Sequence, residues 1–140
     1  MANIVPDSFK QELFTATHNF NTTSGNTFYL SLYTTVTGFS ASTTNYITTN
    51  EASGTGYTAG GTALVNSTVT VAQNISFISF SNATFSTATL SASCCLIYNT
   101  TQSKKAVVIL DFTTTQTATN GNFTIQFPTA NSTSAVLRIS

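Results

Sequence analysis

The sequence predicts an all-β chain: an antiparallel β-sandwich or jelly-roll-like barrel with one short N-terminal helix. Three observations point there. Beyond position 26 the apolar residues recur with a period of two; turn-forming residues interrupt them roughly every ten positions; and Thr alone fills 30 of the 140 positions. A β-branched Thr can occupy the solvent face of a pleated sheet without losing strand propensity. The length suits one β-rich domain, residues 1–140, with 1–25 as its N-terminal helical segment.

The elements follow in order. Pro6 to Phe20 reads as the helix, since Pro suits a first turn and Asp7 and Glu12 lie toward the positive end of the dipole. Phe9, Leu13 and Ala16 make one apolar stripe, with Lys10 and Gln11 facing away. Asn19 to Asn26 is its terminating loop. Thr27 to Thr37 alternates Phe28, Leu30 and Leu32 with Tyr29, Ser31 and Tyr33, the pattern of a half-buried strand. Further strands are expected over Thr62 to Val71 and over Ile75 to Phe80. Phe85 to Tyr98 is long enough for two short strands or one bent one. The run Ala106 to Leu110, within Lys104 to Phe112, is apolar throughout and reads as a strand buried on both faces. Thr119 to Asn122 carries Asn-Gly and predicts a turn; Phe123, Ile125 and Phe127 alternate after it, and Ala135, Leu137 and Ile139 close the chain.

Four Lys+Arg balance four Asp+Glu, and only 6% of residues are charged. Thr, Ser and Asn together hold 60 positions (30, 17 and 13), so hydroxyls and amides must coat the surface. Four scattered cations make no basic patch, which argues against nucleic-acid binding. No apolar run is long enough to span a membrane as a helix, and Met1 to Asp7 lacks the start of a secretory signal, so no membrane partner is expected. The seven Asn-x-Ser/Thr sites, at Asn21, Asn66, Asn74, Asn82, Asn99, Asn122 and Asn131, read as composition. Net charge near zero removes the repulsion that keeps small domains apart, which favours a component of an assembly.

Chemistry is sparse. Cys94 and Cys95 are adjacent, so on a strand they point to opposite faces and a disulfide between them would be strained. His18 stands alone and reads as a helix-end residue near the C-terminal dipole; no Gly-x-Ser-x-Gly elbow accompanies it. The acids available for glycoside hydrolysis are Asp7, Glu12, Glu51 and Asp111, of which the first two read as helix-surface charges. We expect no catalytic residues, no metal and no cofactor. Gly54, Gly56 and Ala59 match G-x-G-x-x-A on paper. A strand follows them, and no acid lies about twenty positions on, so the loop is not read as a dinucleotide site. Its glycines instead allow tight turns and close backbone approach, with Tyr57 as an anchor. Glu51 either accepts hydrogen bonds from loop amides or pairs with a cation on a neighbouring subunit.

The stretch Asn50-Glu51-Ala52-Ser53-Gly54-Thr55-Gly56-Tyr57-Thr58-Ala59-Gly60-Gly61 resembles the N-E-x-S-G-T-G-Y-x-x-G-G segment of small tailed-bacteriophage virion proteins. Ser81 to Phe85, Leu96 to Asn99, Leu110 to Phe112, Asn120 to Phe127 and Leu137 to Ile139 are similar to that family in the same order, as is the opening Ser8 to Leu13. The chain departs from the pattern in lacking Trp and in continuing Asp111-Phe112-Thr113. The resemblance implies a virion structural protein and no enzyme, most readily a capsid decoration (cement) protein bridging major capsid subunits on the outside of the phage head after assembly in the host cytoplasm. The implied partners are the major capsid protein and further copies of the chain, as a homotrimer. The expected contacts are Phe9 and Leu13 on the helix, with Glu51, Gly54, Gly56, Tyr57, Gly60 and Gly61 in the loop. Two rivals stand beside it: a tail- or fibre-associated domain binding host glycan through Tyr29, Tyr33 or Tyr57, and a carbohydrate-active enzyme.

Overall fold

Pro6 caps helix α1 (Asp7–Phe14) from outside with φ −60° and ψ 147°, and the helix stops one turn and a half short of Phe20. The stop is local chemistry. Ala16 turns left-handed at φ +55°, while the Thr15 hydroxyl and the Thr17 N–H both donate to the Glu12 carbonyl. His18 is therefore swung off the helix instead of ending it, contrary to its reading as a dipole-end residue. The computed structural model describes residues 3–66 and 68–140. The first two residues of the 1–25 segment, and position 67 in the strand read over Thr62 to Val71, lie outside them.

Seven strands among the described residues form two antiparallel sheets, so the chain is all-β with one short helix. The larger sheet has the order β2 (Thr62–Ala63), β1 (Phe28–Tyr33), β5 (Ala83–Asn99), β6 (Lys105–Ile125). The smaller has β3 (Thr70–Ala72), β4 (Ile75–Ile78), β7 (Leu137–Ile139). The strand expected over Thr62 to Val71 is thus two pieces, one in each sheet. Phe85 to Tyr98 is one strand, irregular in register after Phe85, Ala88, Ala92 and Ile97.

The period-two pattern in β1 and β5 carries two cores, one on each face. Phe28, Leu30, Leu32, Cys95 and Ile97 belong to the larger core with Phe9, Phe80 and Phe123. Tyr33, Cys94, Leu96 and Tyr98 belong to the second with Phe39, Ala106 and Ile109. β1 is accordingly buried on both faces, not half-buried, because Val36, Phe39, Tyr46 and Ile47 of the following connection fold over the Tyr33 side. Such a long connection is uncommon, and this one is pinned at intervals by bridges Tyr33 to Glu51, Asn45 to Lys105 and Thr55 to Thr89.

The Asn120-Gly121 turn is the clearest correction. Both residues lie inside β6, which continues to Ile125. Pairing runs from Ala88–Gly121 to Leu90–Ala118, so β6 spends three residues where β5 spends two. Asn120 takes up the extra residue at φ +49° and donates its N–H to the Thr89 hydroxyl at 3.0 Å. The tolerance of Asn for positive φ here makes a bulge in place of a turn. The reversal comes instead at residues 100–104, where Ser103 and Lys104 adopt φ +53° and +60°.

Candidate functional site

Glu51 organises the glycine-rich loop at residues 50–61. Its Oε2 accepts the Tyr46 hydroxyl at 2.6 Å; its Oε1 accepts the Tyr57 hydroxyl at 2.7 Å and the Gly60 N–H at 2.6 Å. The Tyr57 oxygen in turn accepts the Leu32 N–H at 3.0 Å, tying the loop to β1. Tyr98 donates to the Gly60 carbonyl at 2.6 Å, so Gly60 is held from both sides of its backbone. Nearby, Tyr33 donates to the Ile47 carbonyl at 2.7 Å and accepts from Ser31. Tyr29 and Tyr46 both pack on the Tyr98 ring, at 6.1 and 4.9 Å between centroids, and Lys104 lies 5.0 Å over Tyr46. Tyr29, Tyr33, Tyr46 and Tyr98 thus gather on one side of the sheet, while the Tyr57 ring packs on the larger core, 5.3 Å from Phe85, and sends its hydroxyl to Glu51.

Burial, with the Glu51 carboxylate adding to it, opposes ionisation of the surrounding phenols. Burial, reinforced by the Glu51 charge, pushes Tyr98 up to about 12. Burial followed by the hydrogen bond to Glu51 drives Tyr46 higher still, and burial dominates the upward shifts of Tyr57 and Tyr33. Of the two roles offered for Glu51, the structure shows acceptance from a loop amide, together with two phenols.

The expected contact residues separate. Glu51, Tyr57 and Gly60 come together at this hub. Gly61, at φ +83°, lies so close to β1 that a Cβ would overlap the Leu30 carbonyl, and at Gly54 (φ +147°) it would overlap the Thr89 carbonyl. Gly56 lies against β5, with the Ser86 oxygen 2.7 Å from where a Cβ would be. The loop is therefore laid onto the sheet. Phe9 is 2% exposed and packs beneath α1 at 5.0 Å from the His18 ring, while Leu13 is partly buried beside it. Among the tyrosines weighed for glycan stacking, Tyr33 is fully buried, and Tyr57 has its hydroxyl engaged by Glu51 and Leu32.

Sequence reasoning missed a second polar cluster. Glu12 Oε1 accepts Lys105 Nζ at 2.7 Å, and its Oε2 lies 2.7 Å from His18 Nε2. His18 Nδ1 lies 3.0 Å from Asn99 Nδ2. Backbone donors fix the orientation of each group. Asn26 Oδ1 accepts the Asn19 N–H and Asn99 Oδ1 accepts the Gln102 N–H, so the Asn99 amide nitrogen faces His18. His18 Nδ1 must then accept, and its Nε2–H donates to Glu12. Burial pushes the Glu12 carboxyl up, but the bonds from Lys105 and His18 outweigh it and hold it below its ordinary value. The His18 side chain is 0% exposed, which makes this a buried latch joining α1 to the end of the β5–β6 hairpin. Only the pairing of a helix acid with a nearby His was visible in sequence; Asn99 lies 81 positions from His18.

Cys94 and Cys95 are both free and buried, one in each core as their adjacency predicts. Burial raises the Cys94 thiol to about 11. Asp111 lies at the edge of a cleft of about 330 Å³ and accepts the Thr113 N–H at 2.9 Å. Among the described residues no three His, Cys, Asp or Glu side chains cluster as metal ligands would, and no helix is long and apolar enough to cross a membrane. Comparison with protein-family models, with curated proteins and with solved structures finds no match.

Proposed function

We propose that this chain is a virion structural protein, a capsid decoration (cement) protein that bridges major capsid subunits on the head exterior together with further copies of itself. The observation that carries the reading is the far half of the β5–β6 hairpin. Its exposed positions include Thr84, Ser86, Thr87, Thr89 and Ser91 on β5 and Thr113 to Thr117, Thr119 and Asn120 on β6, none of them charged. Interface cores are depleted in charge because ions are costly to desolvate. Hydroxyls both donate and accept, so such a surface can satisfy a neighbour's backbone with little desolvation cost. A clamp touching two or three subunits at once gains further by multivalency. The loop that resembles virion proteins supports this reading indirectly: the Glu51 hub fastens it to the sheet and stiffens the base from which the hairpin extends.

Copy number in purified particles tests it, measured by quantitative mass spectrometry and located by particle reconstruction. Occupancy on the order of hundreds of copies on the head lattice is the expected result. A few copies at the tail would instead favour the adsorption-associated domain, and absence from particles would overturn the virion reading.

A further inference from the structure

An apolar groove of about 400 Å³ runs between α1 and the smaller sheet, floored by Phe9, Leu13, Phe77 and Leu137, with Lys10 and Arg138 also lining it. Next to Leu13, on the last residue of α1, Phe14 is 95% exposed. Among the described residues Phe14 is the most exposed large apolar side chain. A lone exposed Phe and an open pocket on the same molecule are the two halves of a knob-into-hole contact between copies. We propose that a second copy of this chain docks here, its Phe14 entering the groove.

Two arguments select a second copy. The first is charge. The groove is apolar inside and is lined by two cations, Lys10, which is paired with Asp7 at 2.6 Å, and Arg138. An aromatic face is the uncharged group that cations attract. The guanidinium of Arg138 donates to the Ser132 carbonyl, and no described carboxylate forms an ion pair with it. The chain's formal net charge is zero, so two copies meet without long-range repulsion. The second is area. Val5, Val69 and Ile139 on the groove and Val71 beyond it are 38%, 45%, 59% and 68% exposed. Together with Phe14 these side chains expose apolar area on the order of a few hundred Å², a substantial part of the roughly 800 Å² that each partner buries in a standard interface.

This inference specifies the self-association within the proposed function, and it is tested in solution without any particle, so the two can fail separately. Sedimentation velocity of the full chain from micromolar to near-millimolar concentration should show a reversible oligomer, whether a pair or a closed ring of three. F14S removes the knob and I139E blocks the hole. Each should raise the dissociation constant at least about thirty-fold, the scale of an interface anchor, while leaving the urea midpoint unchanged, since both side chains are exposed. An equimolar mixture of the two variants retains one intact knob and one intact hole, and should form a hetero-oligomer that neither forms alone. A strictly monomeric parent chain, or an oligomer indifferent to both substitutions, overturns the proposal.

Discussion

Replacing Glu51 by Ala removes the acceptor for three donors at once: the hydroxyls of Tyr46 and Tyr57 and the N–H of Gly60. Hydrogen bonds to a charged acceptor contribute about 1.5–3 kcal/mol each, and a buried donor left without a partner costs about 1–3 kcal/mol. Glu51, Tyr46 and Tyr57 are only partly buried, so water can reach the vacated site and the lower half of the range applies. The expected loss for E51A is therefore roughly 3–6 kcal/mol, a large part of the ~5–15 kcal/mol that holds a typical domain folded. E51Q should behave differently. Its carbonyl oxygen stays on the side of the Gly60 N–H, which cannot turn away, and its amide faces the Tyr46 hydroxyl, which can rotate to accept. That substitution should cost about 1 kcal/mol. Urea denaturation followed by tyrosine fluorescence would read the difference as a midpoint drop of roughly 2 M for E51A and about 0.5 M for E51Q, at the slopes usual for this size. If E51A and E51Q lie within about 0.5 M of each other, the hub does not hold the loop as argued here.

The other tests address the remaining polar groups and the surface. Glu12 is held below its ordinary value of 4.5, so its contribution to stability is present above that pH and is lost as pH falls through the depressed value; E12Q should flatten the acid limb of a stability–pH curve. Tyr33, Tyr46, Tyr57 and Tyr98 are raised, so the stability they carry is complete below about pH 10 and declines above it; absorbance at 295 nm should show their phenolates appearing together with unfolding. Nitrogen-15 NMR at neutral pH should find His18 as the Nε2–H tautomer, and N99D, which puts an acceptor opposite Nδ1, should change that signature. Docking through the ion-free far half of the hairpin predicts particle occupancy that changes less than about tenfold between roughly 0.05 and 0.5 M salt, whereas a charge-driven contact would weaken steeply.

What the sequence made legible was periodicity. Alternation in Phe28 to Tyr33 named a strand, and the apolar run Ala106 to Leu110 named one buried on both faces, because a period of two is a local property. Adjacency placed Cys94 and Cys95 on opposite faces, and the glycines at 54, 56 and 61 did mark close backbone approach. What failed was whatever depended on partners distant in the chain. β1 looks half-buried in sequence because nothing local shows that residues 36–47 return across its Tyr33 face. Asn120-Gly121 carries a strong turn signal, yet the turn falls at residues 100–104, where no Gly occurs, because the pairing of β5 with β6 determines which positive-φ residues reverse the chain and which bulge it. His18 was misplaced for the same reason, since the groups that bury it include Asn99 on the far strand.

The placement of charge connects these observations. With so few ions, the chain commits two of its four acids to interior tasks: Glu12 joins the helix to the hairpin end, and Glu51 fastens the long loop to the central sheet. Asp7 pairs with Lys10 on the helix surface at 2.6 Å, and Asp111 accepts a backbone N–H from its own strand. Interior carboxylates with two or three fixed donors specify geometry, because each arrangement that leaves a donor unmet is penalised. The hydroxyl-bearing half of the hairpin is free of that constraint. Its hydroxyls bond one another or the backbone, as Ser91 does Thr117 at 2.9 Å and Thr89 the Asn120 N–H at 3.0 Å, and each keeps donor or acceptor capacity for a neighbour without prior matching of charge. A rigid, ion-pinned base and an uncharged, adaptable face together suit a protein that adheres to a repeated lattice, where the same contact must form many times against subunits that are not perfectly equivalent.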